Sequence, residues 1–250
     1  YGPLPHYDRH ADVPTLYVGG WYDTYTRGTL ENFTALSARQ KAPVHLLMGP
    51  WHHGGVGVPE AGAASFRPEG GLADYEAVRR AWFDRFLKGE ESSAPGARVR
   101  YFVMGGGAGP RAEGGIVEHG GTWRSAGTWP PPGATATPFY FHADGRLSTE
   151  PPAGETGPTR YTFDPAAPVP TIGGQLSAIA IPPGAYDQRN DRRFPESAGA
   201  LPLSARQDVL CFTTEPLEED VEIAGPVTAK LWVSTDAPDT DFTAKLIDVY

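Results

Sequence analysis

Two short apolar runs constrain what this chain can fold into. Residues 13–19 (VPTLYVG) and 43–48 (PVHLLM) are continuous apolar stretches of the kind that fill buried parallel strands. The first breaks at Gly20-Trp21-Tyr22-Asp23. The second breaks at Gly49-Pro50-Trp51-His52-His53-Gly54-Gly55. Between them, residues 29–39 (TLENFTALSAR) carry Leu30, Phe33 and Leu36 at helical spacing, which predicts a helix with one apolar face. A second amphipathic helix is predicted over residues 72–87 (LADYEAVRRAWFDRFL), with Tyr75, Val78, Trp82, Phe83 and Phe86 on one stripe and Gly89 as its stop. Strand, helix, strand, helix at this spacing implies a parallel sheet with covering helices.

Beyond residue 97 the pattern changes. Short alternating segments recur at 99–104, 139–142, 160–163, 209–213, 227–233 and 242–250. Residues 143–146 (ADGR) carry a hairpin-turn signal. With 31 Gly and 26 Pro in 250 residues, the connections read as turns and long crossings, and no three-turn helix stands out. The expectation is α/β plus β: residues 1–90 as an α/β unit, a Gly/Ser/Pro linker over 89–96, and residues 97–250 as an antiparallel sandwich or jelly roll. A net charge of −9 argues against a nucleic-acid partner held by phosphate contacts. No apolar run approaches the roughly 18 residues of a membrane-spanning helix. Cys211, the single cysteine, excludes an intrachain disulfide and any cysteine-rich zinc site; its alternating context (VLCFT) predicts a buried small hydrophobe. The chain begins at Tyr1 and ends at Tyr250 inside an alternating segment, which reads as a piece of a longer chain.

In an open parallel sheet, chemistry collects where strands end. Asp23 follows the first run and His53 the second, with one helix between. In α/β-hydrolases the triad runs Ser, Asp, His along the chain, and this order and spacing fit the last two members. The Asp would hold the imidazole in one tautomer; the His would accept and return a proton. The plainer alternatives are a turn or helix-cap Asp and a histidine of a glycine-rich loop. Trp21 and Trp51 flank these positions and either line a substrate pocket or pack the sheet ends. Adjacent histidines in one loop rarely point the same way, so a metal site built on Asp23 and one of His52 and His53 has no third ligand at recognisable spacing, and neither metal nor other cofactor is expected.

Gly19-Gly20-Trp21-Tyr22-Asp23 followed by Gly49-Pro50-Trp51-His52-His53 resembles the strand ends of the cocaine esterase / X-prolyl dipeptidyl aminopeptidase family, which includes α-amino-acid ester hydrolases and glutaryl acylases. The stretch 82–89 (WFDRFLKG) is similar to that family's helix before its domain boundary. Residues 99–105 (VRYFVMG), 163–165 (FDP), 169–174 (VPTIGG) and 239–242 (DTDF) resemble its C-terminal jelly roll. The resemblance implies Asp23 as triad acid and His53 as base, with His52 on a variable position. It implies the C-terminal part of an α/β-hydrolase domain followed by a jelly roll, and a serine hydrolase acting on small-molecule ester, amide or peptide substrates without a cofactor. A homo-oligomer is compatible with it. None of the ten serines lies in a Gly-x-Ser-x-Gly turn. Chain order places the nucleophile before Asp23, so these residues alone are expected to be inactive. A proline-specific dipeptidyl peptidase and a non-catalytic jelly-roll binding module are the alternatives.

Overall fold

A computed structural model describes residues 4–72, 74–91, 96–106, 115–154, 157–177, 181–189, 194 and 201–249. Residues 92–95, half of the expected linker, and the last residue of the 242–250 segment lie outside them.

The first half follows the predicted order. A 3-10 turn (Leu4–Arg9) leads to β1 (Thr15–Tyr22), α1 (Thr26–Ser37) and β2 (Val44–His52). Strands β1 and β2 pair in parallel, as two apolar runs joined by a helix must. The face of α1 formed by Leu30, Phe33 and Leu36 covers the sheet: Phe33 joins Val44, Leu46 and Met48 in the main core, with Leu30 packed against it. Two short strands, β3 (Glu60–Ala61) and β4 (Ala64–Ser65), follow. Helix α2 (Tyr75–Phe83) starts at Asp74, whose side chain accepts from Ala77 N–H at 2.8 Å. It continues as a wider π turn over Asp84–Lys88 and stops at Gly89, in the left-handed conformation (φ 75°). Trp82 packs its ring on His45 and Phe86. Phe83, expected on the same stripe, is exposed; it sits one residue past Trp82, about 100° round the helix.

The β half departs further from expectation. β5 (Val99–Met104) belongs to the first sheet, pairing in parallel with β2 from Leu46↔Val99 to Met48↔Tyr101. Strand β6 (Val117–Glu118) pairs with β4, and β7 (Gly121–Ala126) pairs antiparallel with β5. The main sheet therefore runs β1-β2-β5-β7, straight across the expected division at residues 89–96. Alternation reports which side chains share a face and carries no information on the neighbouring strand. Val99, Tyr101 and Phe102 are buried on this shared sheet.

The hairpin signal at 143–146 is met by β8 (Tyr140–Phe141) and β9 (Leu147–Ser148), with Gly145 at φ 87° in the turn. The segments 160–163, 227–233 and 242–249 form no ladder among the described residues, and 209–213 contributes a single bridge, Arg146↔Thr213. Trp232 is 94% exposed. Cys211 is exposed rather than buried: its segment meets the β8–β9 hairpin through the Arg146↔Thr213 bridge and the Phe141–Phe212 ring contact, which leave the thiol uncovered. Among the described residues no helix is long and apolar enough to cross a membrane.

Candidate active site

The ends of β1 and β2 are shaped by a slip in their pairing. Up to Gly20↔Gly49 each β1 residue faces a residue 29 further along; at Tyr22↔His52 the offset is 30. One extra residue of β2 is accommodated at Trp51, whose backbone crosses directly over Gly20. A Cβ on Gly20 would run into the Trp51 carbonyl, so the slip needs glycine there. Carried one residue further, the new offset sets Asp23 opposite His53. At the old offset Asp23 would face His52. The slip thus selects which histidine meets the carboxylate.

Side chains complete the selection. His53 Nδ1 lies 3.1 Å from Asp23 Oδ2. A carboxylate only accepts, so Nδ1 is the donor, and Nε2 takes no hydrogen bond from the described residues. Asp23 is the more sheltered partner, its side chain 16% exposed against 52% for His53. The other carboxylate oxygen, Oδ1, accepts the Tyr25 N–H at 2.9 Å, closing an Asx turn at the head of α1. Thr26 ties the same turn down: the single proton of its Oγ1 is shared between the Gly20 carbonyl (2.5 Å) and the Asp23 carbonyl (2.6 Å). The Tyr25 ring stands edge-on to the His53 imidazole, centroids 5.3 Å apart. His52 turns away, its Nδ1 against the His53 carbonyl at 2.9 Å.

The two tryptophans flanking the pair are packed. Trp51 is fully buried. Its indole N–H donates to the Gly70 carbonyl at 2.9 Å, and its ring covers Gly49, where a Cβ would run into it. Trp21 donates to the Phe102 carbonyl at 2.7 Å, packs against Trp129, and accepts the Gln175 side-chain amide on its own carbonyl at 2.9 Å. Of the two readings open from the sequence, their placement supports packing of the sheet ends. Gln175 brings the 169–175 stretch to the strand that leads to Asp23.

No serine hydroxyl bonds to His53 among the described residues. A second histidine–serine pair, His142 Nε2 with Ser148 Oγ at 2.9 Å, has the wrong polarity for a base. The Arg146 guanidinium approaches His142 Nδ1 at 3.3 Å, and an arginine only donates, so Nε2 carries the proton and donates to the serine. Among the described residues no group of three or more His, Cys, Asp or Glu is placed to hold a metal ion. The residue sequence reasoning overlooked is Tyr25. Its signal was an aromatic at the helix-cap position, where a short polar residue is favoured.

A carboxylate holding Nδ1 of an imidazole whose Nε2 is open is an arrangement able to accept and return a proton. Residues 94–250 match the X-Pro dipeptidyl-peptidase C-terminal non-catalytic domain, and residues 2–55 match the X-Pro dipeptidyl-peptidase (S15) family. The chain is 36% identical to cocaine esterase of Rhodococcus sp. over 95% of its own length and 38% of that protein's. It is 27% identical to a putative serine esterase of Mycobacterium bovis, over 97% of this chain and 34% of the relative. It therefore spans little more than a third of the curated relatives it matches. An aminopeptidase from a marine sediment Thaumarchaeota archaeon has a similar fold, with TM-score 0.55 and 27% identity over 82% of this chain and 31% of that one. The chain belongs to the cocaine esterase / X-Pro dipeptidyl-peptidase family.

Proposed function

We propose that this chain supplies the acid and base of a serine acyl hydrolase that cleaves ester or amide bonds. The observation that carries the reading is the Asp23–His53 contact at the ends of two adjacent parallel strands. In the proposed cycle His53 Nε2 takes the proton of a serine hydroxyl as it attacks the acyl carbon, and returns it to the leaving alkoxide or amine. Asp23 holds the imidazole and stabilises its charged form; it does not take the proton. Water then repeats the sequence on the acyl-enzyme. The serine comes from outside these 250 residues, since none of the serines here lies in a nucleophile turn. The α/β-hydrolase-plus-jelly-roll architecture is part of the same proposal, with Gln175 linking the two halves beside the site.

Esterase and peptidase remain two forms of one mechanism. The likeness to an aminopeptidase structure favours keeping the peptide-bond form in view. The test is labelling of the full-length protein by a fluorophosphonate. The proposal expects covalent modification of one serine, with labelling abolished in His53→Ala. A full-length protein that does not react would be a binding module, and the proposal would fail.

A further inference from the structure

Tyr25 stands where local helix physics does not call for an aromatic. It is the N-cap residue of α1, its side chain makes no capping bond, and Ser, Thr, Asp or Asn would serve that position better. The residue is 60% exposed, so it adds little to the core. Yet Tyr25 touches both members of the pair. Its N–H donates to Asp23 Oδ1 at 2.9 Å, and its ring packs edge-on against the His53 imidazole at 5.3 Å and 62°. We propose that Tyr25 is a positioning residue of the Asp23–His53 pair. The backbone N–H occupies one carboxylate oxygen and orients the other toward Nδ1. The ring blocks the swing of a half-exposed imidazole into solvent and so keeps Nε2 on the open side. The inference rests on the acid–base role proposed above, but its test needs no turnover.

The test uses the full 250-residue chain with 15N-labelled histidine, recorded near pH 8.5, where imidazole is neutral. Long-range proton–nitrogen spectra distinguish the two tautomers of each imidazole, and His53 is identified by the signal lost in His53→Gln. In the native chain His53 is expected as the Nδ1–H tautomer with a ring-current shift from Tyr25. Tyr25→Phe, which keeps both ring and N–H, should retain both signatures. Tyr25→Ala should lose the ring-current shift and cut the ratio of held to released imidazole about 2- to 10-fold, the range an edge-on aromatic pair supports. The signals of the six other histidines report whether the fold survives. A His53 spectrum unchanged by Tyr25→Ala, or equally disturbed by Tyr25→Phe, would overturn the inference. Absence of the Nδ1–H tautomer in the native chain would overturn the pair, and the inference with it. A Tyr25-dependent His53 in a full-length protein inert to fluorophosphonate would instead leave the positioning intact and defeat the hydrolase reading.

Discussion

Replacing Trp51 by phenylalanine separates a packing tryptophan from one that lines a pocket. The indole is fully buried, donates to the carbonyl of buried Gly70 at 2.9 Å, and packs against Trp123 at 5.8 Å. Trp51→Phe shortens the nine-atom indole to a six-atom ring, removing the N–H and two ring carbons. A buried carbonyl left without a donor costs about 1–3 kcal/mol. The lost apolar atoms, at about 0.8 kcal/mol per CH₂-sized group, add roughly 2 kcal/mol. The expected destabilisation is about 3–5 kcal/mol, a large share of the ~5–15 kcal/mol that holds a typical domain together. Urea unfolding of the 250-residue chain, followed by far-ultraviolet circular dichroism, reads this as a lower midpoint at unchanged m-value. A loss below about 1 kcal/mol would show that the indole is not sealed by Gly49, Gly70 and Trp123, and would return Trp51 to the pocket.

The strand slip and the half-buried His45 make further predictions. Gly20→Ala drives a Cβ into the Trp51 carbonyl; it should cost about 1–3 kcal/mol and abolish the Nδ1–H signature of His53, whereas a retained signature would mean that the slip does not set the pairing. Burial pushes the His45 imidazole below its ordinary value, with Arg98 adding to the effect. The folded state then binds fewer protons than the unfolded one, so stability should fall as the pH drops below about 6.5 toward the folded-state value. Urea midpoints between pH 7.5 and 5 should decline less steeply in His45→Leu; equal slopes would contradict the assignment.

What the sequence disclosed and what it withheld divide along one physical line. Local signals held: the two apolar runs became β1 and β2, Leu30, Phe33 and Leu36 formed one covering face, Gly89 stopped the helix, and residues 143–146 made a hairpin turn. Non-local choices did not show. Residues 99–104 read correctly as a strand, yet nothing in their alternation said that β2 would be the neighbour. Residues 227–233 and 242–249 alternate as well, but a ladder needs a partner strand, and among the described residues they have none. The placement of Asp23 against His53 was legible as strand-end spacing. The choice between His52 and His53 was legible from residues only through the family resemblance; its physical cause, the slip at Gly20, appears once Trp51 is seen lying over a residue with no side chain. Tyr25 escaped notice because its cap position is defined only when the start of α1 is known.

The central claim is that Asp23 and His53, and not His52, form the acid–base pair. Its most direct test compares kcat of His53→Ala and His52→Ala in one purified full-length background, with circular dichroism as the fold control. The account predicts a loss of about 10³-fold or more for His53→Ala, the scale of removing one member of a triad, and a far smaller loss for His52→Ala. Equal losses, or a larger loss at His52, would contradict it.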